Sequence, residues 1–173
     1  MFSGRVLLVI AHPDDEVMFF SPLLLNHMHS NMNNNPTTNE IFILCLSTGN
    51  YNGLGDTRRT ELYQACSHYT IPGTHVRVID HQDLQDGQRW DPSIISDIIV
   101  TNITDIKPQY VITFDSYGVS GHHNHISTNR GLVLAIPRLI KLLPSLCYYK
   151  LLSLRGMCMY MYVYVCICMY TCL

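Results

Sequence analysis

His12-Pro13-Asp14-Asp15-Glu16 places one imidazole and three carboxylates within five positions, directly after the apolar run Val6-Leu7-Leu8-Val9-Ile10-Ala11. Carboxylates crowded at the end of a buried strand repel one another and lose hydration. Their pKa values rise unless a cation compensates. Imidazole nitrogen together with carboxylate oxygen suits zinc or a neighbouring first-row divalent ion.

A second group of the same kind lies far downstream. Tyr110-Val111-Ile112-Thr113-Phe114-Asp115 reads as another buried strand, the glycine-rich stretch 116–121 as a loop, and His122-His123-Asn124-His125 as the start of a helix. His122 and His125 are three apart, which predicts one face of a first helical turn. Two strand ends of one parallel sheet can bring His12, Asp15 and His125 around a single ion, leaving a coordination position for water as catalytic sites do. Each group alone has a plainer reading. The acidic triplet suits a helix start facing the positive end of the dipole, and a lone HxxH is often solvated. Their joint placement at the carboxyl ends of apolar strands favours the metal site.

The elements that must position these residues alternate. Strand 5–11 leads to a helix over about 14–28, followed by an asparagine-rich loop to Glu40. Strand 41–47 and the loop 48–55 precede a helix over 56–68, with Asp56 or Thr57 as its cap. Strand 75–79, an acidic loop to Asp91, a helix over about 92–104 and strand 109–115 follow. A last helix starts at His125 and is expected to end near Ile136, before Pro137. This order predicts an α/β fold, Rossmann-like and doubly wound, with a mainly parallel sheet and helices on both faces. Ligands bind such sheets at the carboxyl ends of the strands.

Composition narrows the function classes. A chain of 173 residues suffices for one α/β domain, and a net charge of −2 without a basic run leaves no footprint for nucleic acid. Charged residues make up 14%, which leans toward membranes or a larger buried assembly. Met1 lies a few residues before the first strand, so no leader or transmembrane segment is expected ahead of it. Cys45 and Cys66 lack metal spacing and read as buried thiols.

AHPDDE after the first strand, with HHNH closing TFDSYGVSGHHNH, resembles the LmbE-like metal-dependent N-deacetylases. The phrases LLVIAHPDDEVMFFSP, STGNYNGLGDTRRTEL and VITFDSYGVSGHHNH resemble the branch that acts on N-acetylglucosaminyl-phosphatidylinositol in GPI-anchor biosynthesis. The likeness spans about residues 5–136. It implies that His12, Asp15 and His125 hold Zn2+ or another divalent first-row metal, with Asp14 as general base and His122 stabilising or protonating the reacting centre. It also implies a glycolipid substrate, a membrane surface and the cytosolic face of the endoplasmic reticulum. It names no protein partner. Two other outcomes fit the same residues: a soluble deacetylase of another GlcNAc conjugate, and a truncated isoform with little or no activity.

The chemistry accommodates these roles. Asp14 precedes ligand Asp15 and can face the attacking water, as a general base must, while Glu16 one residue further suits a supporting or capping position. His122, one turn before His125, can reach the oxyanion. His123 projects elsewhere. For the substrate, the RxxE pattern of Arg58 and Glu61 borders the sugar pocket in the resembled family, with Arg59 as the competitor of Arg58. In the loop 80–87, Asp83 is the candidate to accept from sugar hydroxyls, and Asp86 before Gly87 reads as a turn residue; a plain surface turn is the competing reading of the whole loop.

Residues 157–173 are uncharged and drawn from few residue types, unlike the resembled family, whose chain continues with further elements of the domain. The expected division is a C-terminally incomplete deacetylase domain over 1–155 and an apolar, low-complexity tail over 156–173. The tail reads as repeat-derived or alternatively spliced sequence, or as a membrane anchor at the short limit for a bilayer.

Overall fold

The structure is a computed structural model and describes residues 4–32, 39–153 and 162–168. Strands β1 (Gly4–Ile10), β2 (Asn39–Cys45), β3 (Val76–Val78), β4 (Tyr110–Phe114), β5 (Cys147–Ser153) and β6 (Tyr162–Cys168) form one sheet in the order β3-β2-β1-β4-β5-β6. β1 is central because its residues tolerate burial on both faces: Val6 to Ala11 are at most 1% exposed. It pairs in parallel with β2 from Gly4↔Asn39 to Ile10↔Cys45, and on its other side with β4 from Val6↔Tyr110 to Leu8↔Ile112.

The helices are α1 (Asp15–Met32), α2 (Gly55–His68), α3 (Pro92–Ile106), the single turn α4 (Gly118–Gly121) and α5 (His123–Leu142). The chain steps outward from β1 through α1 to β2 and through α2 to β3, then returns by α3 to β4 on the opposite side of β1. Right-handed crossovers put α1 and α2 on one face and α3 on the other. α5 packs on α3, where a Cβ on Gly131 would come 2.3 Å from Ile95 Cγ2, so only glycine permits this approach. The predicted doubly wound, mainly parallel sheet is what forms, and its strand order reverses between β1 and β4. A crevice at their carboxyl ends is therefore the expected ligand position.

Several local expectations change. α1 runs past 28 to Met32 through Pro22, and α5 runs past Pro137 to Leu142. Proline removes one helical donor, but the carbonyls four residues earlier belong to exposed Met18 and Val133, where water can replace it. Neither Asp56 nor Thr57 caps α2. The helix opens at Gly55, whose N–H donates to Asn50 Oδ1 at 2.8 Å. α3 has its expected start, with Asp91 accepting from Ser93 N at 2.8 Å and Pro92 in the first turn. Of the expected tail, residues 162–168 form β6, antiparallel to β5, while 156–161 and 169–173 lie outside the described residues, as does loop 33–38. Among the described residues no helix is long and apolar enough to cross a membrane.

Candidate active site

The turn after β1 accounts for its own backbone donors. Asp15 Oδ2 accepts from Ala11 N at 3.0 Å and His12 N at 2.8 Å, Pro13 has no N–H, and Glu16 Oε2 accepts from Asp14 N at 3.0 Å. The Asp14 carbonyl then accepts from Val17 N and Met18 N, opening α1. Asp14 itself has φ 108, a region that costs a side-chain-bearing residue about 1–3 kcal/mol. That cost is offset by the surrounding bonds.

The second half of the site follows β4. Asp115 Oδ1 accepts from Tyr117 N and Val119 N and so shapes the loop, in which Val119 takes a non-helical φ of 62. His122 does not sit on a helix face as its spacing with His125 suggests. It is the N-cap of α5, with Nδ1 accepting from Asn124 N at 3.3 Å. His125 lies in the first turn, its ring stacked on Phe114 with centroids 4.1 Å apart. The nitrogens of His12, His122 and His125 lie within 4.8 Å of one another and form a group that could hold a metal ion, and Asp15 Oδ1 lies 3.0 Å from His125 Nε2 beside them.

Hydrogen bonds distinguish the two candidates. His125 Nδ1 is 3.1 Å from Gly118 O, and its Nε2 is 3.0 Å from Asp15 Oδ1. Both neighbours are acceptors. A neutral ring can donate to the carbonyl only if its Nε2 lone pair faces the carboxylate, and a shared cation removes that conflict. His122 has the reverse arrangement, because a ring whose Nδ1 accepts carries its proton on Nε2 and offers a donor. Two imidazoles with either a third imidazole or a carboxylate suit a divalent metal, and both kinds of third donor stand beside His12 and His125.

Burial holds the His12 pKa down at about 4 against the opposing charges of Asp15 and Asp86, so its ring is neutral and able to ligate at pH 7. Burial also lowers His122, raises Asp14 and pushes the Glu16 carboxyl up to about 7. Cys45, buried against the same turn, has its thiol raised by burial and donates to Ser47 O, as expected of a structural cysteine.

Arg58 reaches this centre from α2. Its Nη2 donates to Pro13 O at 2.7 Å and Asp14 Oδ2 at 3.0 Å, and its Nη1 to Gly49 O at 2.7 Å. Asp83 is not brought to the cleft: it is exposed, 3.7 Å from His81 Nδ1. Asp86 is there instead, 3.4 Å from His12 Nε2 and 3.6 Å from Arg58 Nη1. Buried Leu84 and the bond from Trp90 Nε1 to Gln85 O draw the middle of the loop inward, and Gly87 at φ 82 supplies the turn. Asp86 is thus a turn residue and a site residue together. Asn124 is a further member that sequence reasoning missed, with Nδ2 3.0 Å from His12 Nε2. Its place inside HHNH was the available signal.

His12, Asp15, His122 and His125 line a cleft of about 290 Å³. Asp14, Arg58, Asp86 and His122 also line an adjoining cavity of about 490 Å³, with the exposed Tyr51 and Leu54 on its wall. Imidazole, carboxylate and guanidinium groups therefore converge beside open space, as titratable groups do in a candidate active site.

The family model described as GlcNAc-PI de-N-acetylase matches residues 7–136. The N-acetylglucosaminyl-phosphatidylinositol de-N-acetylase of Bos taurus is 40% identical over 129 residues, covering 73% of this chain and 48% of that protein. The Saccharomyces cerevisiae protein of the same name is 46% identical over 129 residues, covering 71% and 40%. This chain spans about half the length of the curated relatives it matches. Among solved structures, the zinc-inhibited form of a teicoplanin deacetylase superposes with a TM-score of 0.62 at 14% identity, covering 85% of this chain and 66% of that one, and so shares the fold. Because the matched segment contains both halves of the site, from His12 to His125, the chain belongs to the GlcNAc-PI de-N-acetylase family.

Proposed function

We propose that this chain hydrolyses the N-acetyl group of N-acetylglucosaminyl-phosphatidylinositol, releasing acetate and glucosaminyl-phosphatidylinositol, at the cytosolic face of the endoplasmic reticulum. His12, Asp15 and His125 would hold a divalent first-row ion, zinc by its match to two imidazoles and a carboxylate. When bound, the ion supplies Lewis acidity to water and to the acetyl carbonyl. Asp14 accepts the proton of the attacking water, His122 donates from Nε2 to the oxygen on which charge develops, and the departing amine leaves with a proton returned to it. Arg58 keeps Asp14 in place, and Asp86 faces the cavity where sugar hydroxyls would lie.

The observation that carries this reading is the opposite wiring of two neighbouring histidines. Nδ1 of His125 faces a carbonyl and Nδ1 of His122 faces an N–H, which supports one ligand and one donor. Purified full chain, loaded with zinc, is assayed on synthetic GlcNAc-phosphatidylinositol in vesicles beside a water-soluble GlcNAc conjugate. Release of acetate from the glycolipid is expected. Turnover of the soluble conjugate alone would replace this substrate with another GlcNAc conjugate, and no turnover of either would reject the activity.

A further inference from the structure

Asp14 carries the proton transfer in the proposed reaction, yet its φ of 108 is one that residues with a Cβ rarely adopt. Something must hold it there. On its carboxyl side the carbonyl is tied into the first turn of α1 by Val17 N at 3.1 Å and Met18 N at 2.9 Å. Its side chain is tied by Arg58. On its amino side one bond remains, from its N–H to Glu16 Oε2 at 3.0 Å.

Glu16 is 1% exposed and lines neither the cleft of His12 and His125 nor the cavity beside it, bordering instead a separate space of about 300 Å³ with Glu61 and Leu62. Burying a third acidic group beside Asp14 and Asp15 is unfavourable, and burial and both neighbouring charges act against its ionised form. A residue kept only for packing would gain from losing that group. The backbone of the turn says what it is kept for: Asp15 takes the N–H groups of 11 and 12, Pro13 has none, and that of Asp14 is left for Glu16.

We infer that Glu16 is a positioning residue, whose carboxyl oxygen holds the Asp14 amide and thereby keeps the Asp14 carboxylate on the cleft. It touches neither substrate nor metal and acts on hydrolysis through Asp14. This deepens the reading of Asp14 as general base and rests on it.

The test compares the full zinc-loaded chain with Glu16→Gln, which keeps an acceptor oxygen, and with Glu16→Met and Glu16→Asp, which remove or shorten it. Amide hydrogen exchange at Asp14 is read alongside metal content and steady-state hydrolysis of the glycolipid in vesicles. Protection of the Asp14 amide should be lost in Glu16→Met and Glu16→Asp and kept in Glu16→Gln, at equal metal content. kcat should fall on the order of 100-fold in the first two, the scale of a misplaced reacting group, with KM within about twofold. Glu16→Gln should recover most of it. Unchanged Asp14 protection in both shortened variants would overturn the inference, as would a rise in KM with kcat preserved or a glutamine variant as impaired as methionine. If the parent chain does not hydrolyse the glycolipid, the proposed substrate fails, while exchange at Asp14 still decides the role of Glu16.

Discussion

The two edges of the sheet hold cavities of very different character. At the amino-terminal edge, where β1 and β2 begin, a space of about 670 Å³ is lined by Arg5, His27, Asn39, His75, Lys107 and Gln109. At the carboxyl edge the cleft beside His12 and His125 is less than half that size, about 290 Å³. The larger cavity has polar residues without convergence. Arg5 is paired with Glu40 and Ile106 O, His75 is bonded to Ile41 O and stacked on Phe42 at 4.0 Å. In the smaller one, three imidazoles and a buried carboxylate share a few ångströms because two strand ends and two helix starts meet there. Convergence of titratable groups, and not volume, marks the chemistry.

That contrast can be broken most directly at His125. His125→Ala should lose the metal and nearly all hydrolysis, with metal analysis after gentle dialysis dropping from about one equivalent; retained metal would move the ligand set to His12 and His122. Asp14→Asn should keep the metal and lower kcat by roughly 10³-fold, since an amide cannot accept the proton. His122→Ala should also keep the metal and lose about 2–4 kcal/mol of transition-state stabilisation, read as kcat. Metal loss in this variant would make His122 a ligand instead of a donor.

Smaller effects sharpen the boundary of the site. Asp86→Ala should raise KM about tenfold, roughly 1.4 kcal/mol, while Asp83→Ala leaves both constants unchanged. The reverse result would restore Asp83 as the carboxylate that meets substrate. At the opposite edge, His75→Ala should cost about 1 kcal/mol of stability through the lost stack on Phe42, measured by urea unfolding, and leave kcat and KM as they are. A fall in activity there would mean that the large cavity belongs to the reaction.

Much of this site was legible because it is local in sequence. Val6 to Ala11 had to be a buried strand, and an imidazole with three carboxylates at its end had to be compensated, so His12, Asp14 and Asp15 stand out before any fold is known. The same holds for the strand before His122 and His125. Their union needed only that β1 and β4 be neighbours in a parallel sheet.

What the sequence could not specify depends on which way a side chain turns. Spacing placed His122 on a helix face, but the backbone extends at that residue and makes it the cap of α5, which fixes its tautomer. Asp83 and Asp86 share one loop, and the glycine after Asp86 marks it only as a turn residue; burial of Leu84 with the anchoring of Trp90 decides that Asp86 faces His12. Arg58 reads from sequence as a residue for substrate, and only tertiary contact shows it bonded to Pro13, Gly49 and Asp14. The chain alone determined that His12, Asp14, Asp15, His122 and His125 gather, because strand ends and their adjoining turns are set by local pattern. Which nitrogen bears a proton, and which carboxylate turns inward, was decided by the folded path of the turns at 118–125 and 84–90 and by the meeting of His125 with Asp15 and of His12 with Asp86 across the sheet, none of which residue spacing encodes.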